Sequence, residues 1–141
     1  MVGALLANTL VAAGGTPIRP PAATLTLAVS EFLAAAGLMA VVFGCARGGR
    51  AETGPFAVGA WLAAAILAMP SASYANPAVT LGALFAAGPI GLSLSTALVY
   101  VPAQVAGALV ALLVIAVAYP QHHLRSQPAT IAATASGSLL P

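Results

Sequence analysis

Glu31 is the residue whose placement most invites chemistry. It interrupts an apolar run that extends from Ala22 to Ala46, and a carboxyl in such a run is costly enough that a function is the default reading. Two roles compete for it. It can play a structural part, or it can load and release a proton that drives export of a second solute. The second candidate is Asn76-Pro77-Ala78. Asparagine is a strong helix N-cap and proline suits the first helical position, so the tripeptide marks a helix start. Gln104 is the third. It shares an apolar run with Ala103, Gly107 and Ala111, spaced by four. Small residues at that spacing let helices approach closely in lipid, and a glutamine among them can hydrogen-bond to a neighbour. Packing is favoured there over lining a pore.

Other chemistries are poorly represented. The chain has no aspartate, and its two histidines, His122 and His123, stand side by side in a polar tail. Adjacent histidines without a carboxylate or thiol nearby make a poor metal site. Gly48-Gly49 lies between arginines without a phosphate-cradling pattern. Cys45 is the single cysteine, which excludes an internal disulfide and reads as a small apolar filler. Neither an enzyme, a metal nor a cofactor is expected.

Hydrophobic residues make up 61% of the 141 positions and charged residues 4%. A soluble domain carries about 25% charged residues, so a water-soluble globule is excluded and the bilayer is the expected surrounding. Four arginines against two glutamates leave a net charge of +2, too few charges for a nucleic-acid binder.

The apolar runs define the elements that must position these residues. Val2 to Ala13 is short; Ala22 to Ala46 and Leu94 to Tyr119 are long. A helix of about 20 residues crosses the hydrocarbon layer, and both long runs meet that. Phe56 to Met69 spans only if Gly54, Pro55 or Pro70 lie at the interface. Ala78 to Ala87 reaches roughly halfway at about 1.5 Å per residue. Arg47 and Arg50 place the turn between the second and third runs in the cytoplasm. If the fourth run dips in and returns, the fifth brings Arg125 and the tail to that same side, leaving only Arg19 opposite. Ser71 to Ala75 then carries polar backbone into the membrane, which is tolerated only in protein or beside a wet cavity. The start of the half-helix would carry about half a positive charge. It would repel cations while Asn76 donates to a passing neutral molecule. Pro102 is expected to kink its helix or to start the regular part. Tyr100 and Tyr119 read as interfacial anchors, and Trp61 as packing or lipid contact.

Ser73-Tyr74-Ala75-Asn76-Pro77-Ala78-Val79-Thr80-Leu81 resembles the second pore signature of the aquaporin, or major intrinsic protein, family. Tyr100 to Ala108 is similar to the helix that follows it, and Ser30-Glu31-Phe32-Leu33 to the glutamate-bearing helix that opens each repeat. The resemblance covers about Ala22 to Tyr119. It implies an all-α integral membrane protein, half of an aquaporin-like fold with about three spanning helices plus one re-entrant half-helix. Residues 22–119 would be the second repeat, 1–14 a partial span ending the missing first half, and 120–141 a disordered tail.

The resemblance further implies a channel for passive flux of water or small neutral solutes. Asn76, Pro77, Ala78, Val79, Ser73 and Ala64 would line the pore, while Glu31 and Gln104 support the re-entrant loop. Many members carry an arginine where this chain has Val79, so a wider filter passing glycerol-sized solutes is implied. One half cannot close such a pore. The implied partners are the bilayer and the missing first repeat, or a partner half-channel, in a tetramer in the plasma membrane. A truncated channel is preferred over a subunit awaiting a partner. The alternative is a small proton-coupled exporter centred on Glu31.

Overall fold

The computed structural model describes residues 23–119, together with Thr9. The expected partial span at 1–14, otherwise, and the tail at 120–141, with His122, His123 and Arg125, lie outside the described residues, as does Arg19. Within them the order is α1 (Leu25–Arg47), a single 3-10 turn (Ala51–Thr53), α2 (Gly54–Ala68), α3 (Pro77–Ala83), a second 3-10 turn (Gly88–Ile90) and α4 (Leu94–Ala118). The described residues contain no strand. Among the described residues, three segments are long and apolar enough to cross a membrane: Leu25–Arg47, Ala51–Ala68 and Leu94–Ala118. The fold is therefore that of an all-α integral membrane protein.

Local chemistry explains the boundaries. Thr24 caps α1, its side chain accepting from the Leu27 amide at 3.3 Å. Pro55 sits in the first turn of α2, where its missing N–H has no intrahelical partner to lose. The preceding 3-10 turn lengthens this short run to a spanning 18 residues. Asn76 caps α3 and Pro77 opens it; Ser93 caps α4 through the Thr96 amide. Pro102 lies inside α4, which is helical from Leu94 onward. It therefore does not start the regular part. At seven residues, α3 is about 10 Å long. The expected run to Ala87 is cut short because the chain turns after Ala83, with Leu84, Phe85 and Ala86 donating to carbonyls three residues back.

Contacts along the helices fix their directions. Trp61 of α2 packs on Gly37 of α1, while Gly54 at the start of α2 lies near Cys45 at the end of α1. These two helices are antiparallel. Going up α1, Glu31 meets Gln104, Phe32 meets Gly107, and Arg47 donates to the Ile115 carbonyl at 3.1 Å. Thus α1 and α4 are parallel. A parallel pair with one crossing helix between them leaves no room for another crossing. The segment from Met69 to Ser93 must leave the bilayer on the side where it came in, so α3 is re-entrant.

In lipid, helices gain little by burying apolar surface and associate through close packing and hydrogen bonds. The α1–α4 seam shows both. Ala34, Ala35, Gly107 and Ala111 are buried in it. Trp61 adds a hydrogen bond from its indole N–H to the Ala34 carbonyl, at 3.1 Å. Trp61→Phe is expected to loosen α2 from α1 by about 1–2 kcal/mol, read as earlier thermal unfolding in detergent. Unchanged unfolding would mean that the indole merely faces lipid.

Candidate functional site

The Met69–Asn76 segment is built around one carboxylate. Glu31 is fully buried. Its Oε1 accepts from the Tyr74 amide at 2.9 Å, and its Oε2 from the Ala75 amide at 2.8 Å. Gln104 Nε2 donates to the same Oε2 at 2.6 Å and to Thr80 Oγ1 at 2.7 Å. Glu31 thereby ties together α1, the loop, α3 and α4. A buried carboxylate is tolerable only when its oxygens are occupied in this way.

The loop's backbone shows why an anion is needed. Ala72, Ser73 and Ala75 all have positive φ, at 56°, 54° and 55°. Each non-glycine residue in that region costs about 1–2 kcal/mol. Such turns can aim successive amides in one direction and form an anion-binding concavity; here the Tyr74 and Ala75 amides point to Glu31, while the Ala72 amide donates to the Met69 carbonyl. A second tie lies beside it, with Ser30 Oγ and Ser71 Oγ 2.8 Å apart and the Ser73 amide donating to Ser71 Oγ at 3.2 Å.

The consequence is the placement of Asn76. Its Oδ1 accepts from the Ala78 amide at 2.9 Å, which orients the side chain and leaves Nδ2 as a donor with no partner among the described residues. Asn76, Ala78 and Val79 are exposed and Pro77 is half-buried. A cavity of about 270 Å³ adjoins Asn76 and Pro77, walled by Ala35, Leu38 and Met39 of α1 and by Val105, Ala108 and Leu109 of α4. Its walls are apolar; the polar groups it meets are Asn76 and Gln104.

The remaining sequence candidates divide. Ser73 is buried, and its hydroxyl has no partner among the described residues. Ala64 lies exposed on α2 and takes no part in the hydrogen-bonded network. Tyr100 corrects an expectation. It is 1% exposed, not an interfacial anchor, because its ring packs on Tyr74 with centroids 5.9 Å apart. It also shares a core with Leu27, Ala83 and Leu92. Tyr119 is exposed at the end of α4. Sequence reasoning missed Thr80 and Ser30. Both are polar residues in apolar helices, and that alone could have marked them as partners.

Residues 56–139 match the family model for the major intrinsic proteins. The chain belongs to that family. The match takes in α2, Asn76-Pro77-Ala78 and Gln104, and begins after Glu31. Major intrinsic proteins are channels for water or small solutes rather than enzymes, and the three spanning helices agree with a membrane channel. No curated protein and no solved structure matches the chain.

Proposed function

We propose that this major intrinsic protein supplies one wall of a pore for passive flux of water or small neutral solutes. The observation that carries the reading is the Asn76 side chain. It is held at the tip of a re-entrant helix, its Nδ2 donor has no partner among the described residues, and with Gln104 it is a polar residue of a cavity whose other lining residues are apolar. A neutral molecule can exchange one water hydrogen bond for one to Asn76. A cation gains nothing from a donor and is disfavoured further by the positive end of α3.

We assign Val79, 51% exposed on α3, and Ala78 to the same wall, and Ser73 and Ala64 to the constriction. The exposed face of α3 calls for an opposing wall, which we assign to a second repeat or a partner half-channel, in an assembly that family resemblance makes tetrameric. The positive-inside tendency of Arg47 and Arg50 puts their turn, and the end of α4 beside it, in the cytoplasm of a cell whose plasma membrane holds the channel.

The exporter reading lacks a comparable support. A carrier carboxylate must be reached by protons and solute, whereas Glu31 is fully buried with both oxygens engaged.

The test is osmotic swelling of vesicles that hold the native assembly, followed with water and with glycerol. Asn76→Ala removes the donor and is expected to slow both by about fivefold to tenfold, the worth of roughly one hydrogen bond. Val79→Arg is expected to slow glycerol more than water. Flux no higher than bare lipid, or equal flux in all three proteins, would overturn the reading.

A further inference from the structure

A second cavity, of about 380 Å³, lies at the C-terminal end of α1, between its last turns and the start of α2. Val42, Ala46, Ala51, Pro55 and Val58 line it, with Cys45 as the only side chain bearing a heteroatom. A water-soluble ligand would find almost nothing there to hydrogen-bond. The cleft sits beside the turn joining two spanning helices, and so at headgroup level. An occupant must offer an apolar chain to the cleft and a polar group to the turn.

The turn carries the charge that selects the polar group. Arg47 is already committed to the Ile115 carbonyl. Arg50 immediately precedes Ala51 in the cleft wall; it is exposed, and its guanidinium has no partner among the described residues. Gly49, at φ 70°, has nothing within 4 Å of where a Cβ would stand, so the space above the turn is open. Glu52, exposed on the same turn, is the opposing charge. We propose that this cleft binds an anionic phospholipid, one acyl chain between α1 and α2 and the phosphate on Arg50. This site is independent of the pore reading and stands or falls without it.

Native mass spectrometry of the full chain, extracted with equimolar phosphatidylglycerol and phosphatidylcholine, gives the first test. Phosphatidylglycerol is expected to be retained about fivefold over phosphatidylcholine, the effect of one basic side chain near a headgroup. Arg50→Gln should bring the ratio to about one, and Glu52→Gln should raise it. Cys45, the single cysteine, provides a second readout at the cleft itself. Added phosphatidylglycerol should slow its alkylation by a maleimide in the unmodified chain and not in Arg50→Gln. Equal retention of the two lipids, a preference that survives Arg50→Gln, or an alkylation rate indifferent to lipid would each overturn the proposal.

Discussion

Alanine at Gly107 is expected to force α1 and α4 apart. A Cβ at this position would overlap the Phe32 carbonyl oxygen and lie 3.0 Å from its carbon and 3.2 Å from the Ala36 nitrogen. These are backbone atoms of a helix, and they cannot rotate out of the way as a side chain would. Widening the seam there also stretches the Gln104–Glu31 hydrogen bond, 2.6 Å long and one turn away. Strain and the weakened polar contact together predict a loss of about 3 kcal/mol or more. The sign makes the result diagnostic, because glycine to alanine inside a helix ordinarily stabilises by about 1 kcal/mol. Gly59 in α2 supplies the control, since nothing lies within 4 Å of a Cβ built there. Thermal unfolding of the purified chain should thus move down for Gly107→Ala and slightly up for Gly59→Ala. Equal shifts for the two would mean that the helices do not touch at Gly107.

The contrast between those glycines also shows what a membrane sequence reveals. The start of α3 was legible because a cap acts locally: Asn76 accepts the amide two residues on, and Thr24 and Ser93, which the sequence reading passed over, cap α1 and α4 in the same way. The re-entrant path was legible from the shortness of one apolar run and the proline at its start. The packing faces were legible in part. The small residues around Gln104 marked the seam face of α4, where Gly107 and Ala111 are buried; hidden was that Tyr100, four positions before Gln104, belongs to that face and not to the interface. The left-handed residues Ala72, Ser73 and Ala75 were equally hidden. None is glycine, and the partners that hold this stretch include a carboxylate more than forty positions away, which takes the Tyr74 and Ala75 amides. Glu31 itself was conspicuous for the opposite reason. Its burial conflicts so strongly with its charge that a set of donors had to exist; the family resemblance named Gln104 beside it, whereas nothing pointed to Thr80, which Gln104 joins to the network.

That dependence on Glu31 sets the second large effect. Glu31→Gln keeps the shape of the side chain but replaces one acceptor oxygen by an NH2 group. Three donors converge on the carboxylate, from Tyr74, Ala75 and Gln104, so the new NH2 must face at least one of them. Glu31→Ala leaves the two backbone amides unpaired and Gln104 Nε2 with Thr80 alone. Each buried donor without a partner costs about 1–3 kcal/mol, which predicts a loss of roughly 3 kcal/mol or more for alanine and a smaller loss for glutamine. The loop should respond before the spanning helices do, because the Tyr74 and Ala75 amides, next to strained positive-φ backbone, would lose the anion that orients them. Hydrogen exchange at the Tyr74 and Ala75 amides is therefore expected to accelerate in both variants, with Glu31→Ala the faster, and thermal unfolding to fall in the same order. A proton-carrying glutamate would behave otherwise. If Glu31→Gln left exchange and unfolding as they are while abolishing proton-driven transport, the anchoring role would be wrong and the exporter reading would take its place.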